Sequence, residues 1–182
     1  MNHRSLSFRV AFCGVLGALM VALMLLGTLF PLATYLCPMA AGMLLIPVVW
    51  EYDDRTCALL YLAVSLLSLF LAPDKEAAAL FVFLFGWYPV LRPRLQHISG
   101  RPLRIFLKAF LFNAAVCAAY AVLLFVLVSP DLWAEVERAS VLFLAGLLLL
   151  GNLTFFLYDR CLLRATDFYV FRLRGKLFRH SI

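Results

Sequence analysis

Six apolar stretches divide this chain of 182 residues. They cover residues 8–29, 38–50, 56–72, 77–91, 105–128 and 140–158, and short polar segments separate them. None alternates strictly between apolar and polar residues, as the strands of a membrane barrel do. Because a segment that crosses a bilayer must satisfy its backbone hydrogen bonds internally, the stretches predict transmembrane helices. The predicted fold class is therefore an all-α integral membrane protein, a bundle of six transmembrane helices.

Two of the stretches are short for a span. Residues 38–50 and 77–91 would make helices of about 20 Å and 23 Å, whereas the hydrocarbon core of a bilayer is about 30 Å thick. Either these helices extend into their polar flanks, or they are re-entrant segments beside four full spans. We favour six spans. The topology with re-entrant segments would differ only in placing residues 51–55 and 74–76 on the opposite sides of the membrane.

Lysine and arginine lie almost entirely on one side of the predicted bundle. With the N-terminus inside, the inner segments hold 14 of the 16 cations, and the outer segments hold only Lys75 and Arg138. The positive-inside rule applies to loops this short, so both termini are predicted to be cytoplasmic. Residues 1–159 then form a single six-helix transmembrane domain. Residues 160–182 mix apolar and basic side chains and predict a basic amphipathic cytoplasmic tail on the membrane surface.

Composition narrows the function classes. Hydrophobic residues make up 65% of the chain and the mean hydropathy is +0.98. The net charge of +6 is explained by cytoplasmic flanks facing anionic lipid, so we expect membrane lipid and not nucleic acid as a partner. The five cysteines are scattered without a CxxC pair, and no metal site is predicted. Catalytic sequence motifs are also missing, so we expect neither an enzyme nor a cofactor.

The first predicted helix carries a stripe of small residues, Ala11, Gly14, Ala18 and Ala22. Steps of three and four residues keep this small-residue stripe on one side of a helix. Small side chains let two helix backbones approach closely inside a membrane. The stripe therefore indicates either packing within this protein or docking onto another membrane protein.

Several polar residues lie in or beside the predicted spans. They include Tyr35, Lys75, Glu76, Asn113, Tyr120 and Asn152. Lys75 and Glu76 belong to the one dense charged cluster on the predicted outer side, and Asn152 lies midway along the last span. Such residues could line a small-molecule cavity open to the outside. They could equally form interhelical hydrogen bonds and a helix cap.

Taken together, these features resemble the substrate-binding subunits (S components) of energy-coupling factor (ECF) transporters. The spacing of Gly14, Ala18 and Ala22 is similar to the AxxxA motif by which such subunits dock on their coupling protein. A proline-bearing first outer loop, residues 27–38, and an Ala-Ala-Gly start to the short second helix, residues 40–42, are similar as well.

The resemblance implies a function. Such a subunit binds a vitamin-like small molecule from outside the bacterial plasma membrane. It then docks through its first helix on a coupling membrane protein driven by two cytoplasmic ATPases. We would then expect ligand contacts at Tyr35, Lys75, Glu76, Tyr120 and Asn152.

The alternative is a membrane scaffold without transport. The chain also resembles the rod-shape-determining membrane subunits of the cell-elongation machinery in size and helix count. A scaffold would use the small-residue stripe and the basic tail for protein contacts, and its interior polar residues would hold the helices together.

Overall fold

The computed structural model describes residues 6–28, 32–96, 98, 100–125 and 140–174, and within them the protein is helical without a strand. Five helical segments are long and apolar enough to cross a membrane: Ser7–Leu25, Ala33–Glu51, Asp54–Leu71, Arg101–Phe125 and Val141–Leu173. The prediction of an all-helical chain with several membrane-crossing helices is thereby confirmed. The chain divides into two compact units, Met1–Pro93 (unit 1) and Arg94–Ile182 (unit 2).

Unit 1 is built from the first helices of the chain. They are α1 (Leu6–Leu25), which ends in a short 3-10 turn, α2 (Ala33–Met43), α3 (Ile46–Glu51), α4 (Asp54–Leu71), α5 (Lys75–Leu80) and α6 (Tyr88–Gln96), whose last turn passes the unit boundary. Asp74 begins α5 by accepting a hydrogen bond from the Ala77 backbone N–H at 3.0 Å. This is the ordinary N-cap role of an aspartate.

The second candidate span is longer than its apolar stretch. Residues 38–50 alone are too short to cross, but α2 begins at Ala33, and α2 and α3 together form a 19-residue segment, Ala33–Glu51. Pro38 lies inside α2, and a tight turn at residues 44–45 joins the two helices. The helix therefore extends into the flank of this stretch and reaches the length of a span, while the crossing itself stays a prediction.

The fourth apolar stretch is a broken helix and is not among the five candidate spans. After α5 the backbone widens into a π-helical segment, Phe81–Phe85, and a turn at residues 86–87 precedes α6. Its side chains are the most consistently buried in unit 1, including Ala77, Ala78, Ala79, Leu80, Phe81, Leu84, Phe85 and Tyr88. The segment thus lies in the interior of unit 1.

The core of unit 1 forms where this broken segment meets the helices around it. Met20 and Met24 of α1, Ala41 of α2 and Val64 of α4 pack with Phe81 in one buried cluster. Three consecutive alanines in α5 suit this position, since small side chains let neighbouring helices approach closely.

Unit 2 contains two long helices. They are α7 (Arg101–Phe125) and α8 (Val141–Phe168), which continues as a π-helical segment, Tyr169–Leu173. The Phe112 and Phe155 rings stack at 4.9 Å between centroids, within an antiparallel register of the two helices. Because α8 and its π-helical end together run to Leu173, the described part of the predicted tail, residues 160–174, continues α8 without a break. The domain boundary at residues 159 and 160 stays a prediction.

The close approach of α4 to the π-helical segment gives a test of this packing. A Cβ at Gly86 would lie 2.6 Å from Tyr61 Cε2 and 2.9 Å from the Phe81 carbonyl oxygen. Overpacking of this kind costs about 1–3 kcal/mol, so we expect Gly86→Ala to lower the denaturation temperature in mild detergent by several degrees.

The matched control is Gly146→Ala, because a Cβ at Gly146 meets nothing within 4 Å. It should leave the denaturation temperature unchanged or raise it slightly, since alanine favours a helix. Equal stability of the two variants would contradict the packing described at Gly86.

Candidate functional site

An open groove of about 860 Å³ runs between α1 and α4 in unit 1. In one wall the small residues Gly14, Gly17, Ala18 and Ala22 of α1 lie beside the larger Val10, Val21 and Leu25, and α4 supplies Leu59, Ala63 and Leu67 to the other. Arg9 and Thr56 lie in its lining as well. A groove with an almost entirely apolar lining suits another helix or a lipid chain better than a polar solute.

The small-residue stripe faces away from the core of unit 1. Leu16, Met20 and Met24 are buried, whereas Ala18 and Ala22 are exposed. Both sets repeat every four residues, and an offset of two residues turns a helix by about 200°. The stripe and the buried residues therefore lie on opposite sides of α1.

All four predicted docking residues are exposed, but only three line the groove. Ala11 lies outside its lining. Gly14 borders open space, because a Cβ at this position would find no atom within 4 Å. Gly17 belongs to the lining and was missed by the sequence prediction. Its position three residues after Gly14 was the available signal. A Cβ at Gly17 would lie 3.1 Å from Leu60 Cδ1, so this glycine also allows α1 and α4 to approach.

Arg9 supplies a cation to the lining of the groove. Its Nη2 donates to Asp53 Oδ2 at 3.3 Å, and the guanidinium lies 5.3 Å from the centre of the Tyr52 ring. Asp53 is largely exposed, so this ion pair adds little stability by itself. The contacts hold Arg9 against the turn between α3 and α4.

The charged cluster at residues 74–76 serves largely as helix caps. Lys75 Nζ donates to the carbonyl oxygens of Leu69 at 2.8 Å and Ala72 at 3.0 Å, at the C-terminus of α4. A lysine there also complements the partial negative charge of the helix end. Asp74 caps α5. Asp74 and Lys75 therefore both have the helix-capping role that was one of the two possibilities left open by the sequence.

Tyr35 and Glu76 meet at the same end of unit 1. The Tyr35 hydroxyl donates to Glu76 Oε1 at 3.1 Å, joining α2 to α5. Three of the five predicted ligand-contacting residues, Tyr35, Lys75 and Glu76, are therefore close together. The other two, Tyr120 and Asn152, belong to unit 2.

Asn152 forms a reciprocal amide pair with Asn113 across α7 and α8. Each Nδ2 donates to the other Oδ1, at 3.1 Å and 3.2 Å. Asn152 Nδ2 also donates to the Leu148 carbonyl oxygen at 2.8 Å, and Asn113 Nδ2 to that of Ala109 at 2.7 Å. Both amides are thus used within unit 2. Tyr120 lies half-buried on α7, two turns beyond Asn113.

A buried ion pair accompanies the amide pair and was missed by the sequence prediction. Lys108 Nζ lies 2.6 Å from Asp159 Oδ2, and the two side chains are 8% and 12% exposed. The sequence prediction counted Lys108 only as an inner cation. The available signal was that one cation and one carboxylate lie near the inner ends of the same two predicted spans, with Lys108 five residues before Asn113 and Asp159 seven residues after Asn152.

Comparison with known proteins adds no family assignment. No family model matches the chain, and neither the curated proteins nor the solved structures contain a match. Within the described ranges, no group of three or more His, Cys, Asp or Glu side chains is placed to hold a metal ion. The functional argument therefore depends on the groove and on the polar contacts of each unit.

The buried ion pair predicts a strong dependence of stability on both partners. Lys108→Ala leaves the Asp159 carboxylate buried without its cation, and a loss of this kind costs about 3–5 kcal/mol. We expect a comparable loss for Asp159→Ala, measured by denaturant titration in mild detergent.

Removing both charges should be much less harmful. Lys108→Met combined with Asp159→Asn keeps the volume of both side chains and leaves no unpaired charge, so most of the lost stability should return. Arg55→Ala, at an exposed cation, is the control and should change little. A double variant as unstable as the single variants would contradict direct pairing.

Proposed function

We propose that this protein is the substrate-binding subunit of an ATP-driven micronutrient transporter similar to the ECF S components. It resides in the bacterial plasma membrane and captures a vitamin-like small molecule from outside. It docks through α1 on a coupling membrane protein that two cytoplasmic ATPases drive. The main supporting observation is the groove between α1 and α4, where Gly14, Ala18 and Ala22 of the small-residue stripe lie exposed in one wall.

The proposed topology has six spans with both termini in the cytoplasm. Five helical segments already meet the length and composition of a span. The broken segment of residues 75–96 is roughly 20 residues long, enough for about 30 Å. An even number of crossings returns the C-terminus to the side of the N-terminus. The excess of lysine and arginine in the segments on that side supports a cytoplasmic location.

The groove supports docking of a helix for a physical reason. Lipid chains are as apolar as leucine, so burial alone gives two membrane helices no reason to associate. Close backbone approach, with many van der Waals contacts, supplies the attraction instead. Gly14, Ala18 and Ala22 permit such an approach because they present no bulky side chain. Any energy for transport must come from the partners, since the chain has no nucleotide-binding motif.

The end of unit 1 that holds Tyr35, Lys75 and Glu76 is the proposed place of ligand capture. The bond from Tyr35 to Glu76 fixes a hydroxyl and a carboxylate beside each other. An ammonium group has three N–H donors, and the carbonyl oxygens of α4 use two of those on Lys75. We therefore propose that Lys75 donates its third N–H to a ligand and that the Glu76 carboxylate accepts a hydrogen bond from the same ligand. Asn152 and Tyr120 belong to unit 2, where Asn152 is paired with Asn113, so ligand contact at these two residues stays a prediction.

A scaffold without transport remains the second candidate, and a specific observation favours it. In unit 2, Asn152 pairs with Asn113 and Lys108 pairs with Asp159. Polar groups that satisfy one another between two helices are typical of structural bonds in membrane bundles. In this role the groove would receive a partner of the cell-wall synthesis machinery.

Docking through the stripe predicts loss of partners when the groove is filled. Ala18→Trp combined with Ala22→Trp should abolish co-purification of the coupling protein and its ATPases and stop uptake. The purified variant should keep its denaturation temperature, because both positions are exposed. The measurement is mass spectrometry of the proteins recovered with the tagged chain from its native membrane.

The matched control places the same two side chains on another face of α1. Val15 and Leu19 are exposed, have the same spacing and lie outside the groove lining. Val15→Trp with Leu19→Trp should retain the partners. An intact complex in the Ala18 and Ala22 variant would refute docking through the stripe, whereas recovery of cell-wall synthesis proteins in place of ATPases would establish the scaffold.

Ligand capture predicts stabilisation by a solute. A ligand at 100 times its Kd adds about 2.7 kcal/mol, so one member of a vitamin panel should raise the denaturation temperature of the purified protein. Glu76→Gln combined with Tyr35→Phe should remove that rise. Asp54→Asn, at an exposed carboxylate elsewhere in unit 1, should preserve it. A rise that survives in the Glu76 and Tyr35 variant would exclude this location for the ligand.

A further inference from the structure

The last part of α8 is longer than a membrane span requires. The helical segment Val141–Leu173 has 33 residues, which corresponds to about 50 Å, whereas a hydrocarbon core is about 30 Å thick. Its apolar run ends at Tyr158, and Asp159 turns inward to Lys108. Residues 160–174 are therefore a surplus length of helix, here called the α8 extension.

The two sides of the α8 extension differ in exposure. Leu162 and Tyr169 are buried, seven residues apart and hence on one face. The opposite side is exposed and carries Arg160, Arg164, Asp167, Phe168 and Phe171, which we call the Arg/Phe face. Up to Phe168 each residue turns the α-helix by about 100°, and the wider π-helical turn that begins at Tyr169 leaves Phe171 on the same third of the circumference.

The Arg/Phe face places exposed aromatic rings beside charged arginines. Phe171 is 83% exposed and Phe168 is 50% exposed, so two aromatic rings lie in the open among arginines. A fully exposed ring forgoes about 1.5–3 kcal/mol of burial free energy. A purely solvated charged surface would not carry such rings.

The charge of the α8 extension selects an anionic partner. It contains four arginines, and Asp167 is its only exposed carboxylate. The negative charge of Asp159 is already neutralised by Lys108. The antiparallel register also brings the first turn of α7, with exposed Arg101, alongside this part of α8. Described arginines of α7 and of the α8 extension thus lie at the same end of this helix pair.

We propose that the Arg/Phe face binds the headgroups of anionic phospholipids. Guanidinium groups pair with phosphate in a two-pronged geometry, and aromatic rings settle at the boundary between headgroups and acyl chains. A helix longer than the hydrocarbon thickness tilts, which keeps its surplus length near the headgroups. The arginine stems can then reach the phosphates while their methylene groups stay in the apolar layer.

The test compares anionic with zwitterionic lipid on the full-length protein. The delipidated chain in detergent is heated with dioleoyl phosphatidylglycerol or with dioleoyl phosphatidylcholine. We expect phosphatidylglycerol to raise the denaturation temperature by several degrees more. Arg160→Gln combined with Arg164→Gln should lose at least half of that difference. Native mass spectrometry should show fewer phosphatidylglycerol molecules retained by this variant.

A matched control removes the same charge elsewhere. Arg55→Gln combined with Arg94→Gln changes two exposed arginines outside the α8 extension and should keep the full difference. Equal loss in this control would mean that only net charge matters and would overturn the proposal. An equal rise with inorganic phosphate would also overturn it, because the site would then not require a lipid.

Two further results bear on the proposal. The difference between the lipids should shrink in the unmodified protein between about 0.1 M and 1 M salt, where the screening length falls from about 10 Å to 3 Å. This measurement remains informative even if the arginine variant fails to fold, and a difference unaffected by salt would refute the proposal. If the arginine variant loses co-purifying proteins but keeps the lipid effect, the Arg/Phe face is a protein contact and the proposal fails.

Discussion

Inside a bilayer no water competes for hydrogen bonds, so a polar group that lacks a partner within the protein is costly. This constraint organises unit 2, where the Lys108–Asp159 ion pair and the Asn113–Asn152 amide pair bind α7 to α8 in a single register. A shift of one residue would turn at least one of these groups toward an apolar surface. The two helices are therefore held by specific contacts as well as by packing.

The same constraint limits what the polar residues can do for a ligand. Lys75 donates to carbonyl oxygens at the end of α4, and Asp74 caps α5, so both first serve the backbone. Glu76 and Tyr35 form a side-chain bond that a ligand can exchange at lower cost. A ligand bound at this end of unit 1, as proposed, would therefore have to share or replace contacts that already join the helices.

In unit 1 the two sides of α1 have different roles. The large residues Leu16 and Met20 pack inward, and the small residues Ala18 and Ala22 lie along an open groove. Within the described part of unit 1, Ala18 and Ala22 are not covered by another helix. This exposure is the reason for proposing a partner helix, whichever machinery that partner belongs to.

The sequence by itself determined the helical class, the number of apolar stretches and the face of α1 that carries the stripe. These follow from composition and from the periodicity of a helix, which are local properties. It did not predict the break at residues 86–87, the inclusion of Gly17 in the groove or the partner of Asp159. Those features depend on which helix lies beside which, and residues 51 positions apart, such as Lys108 and Asp159, meet only once the helices have packed.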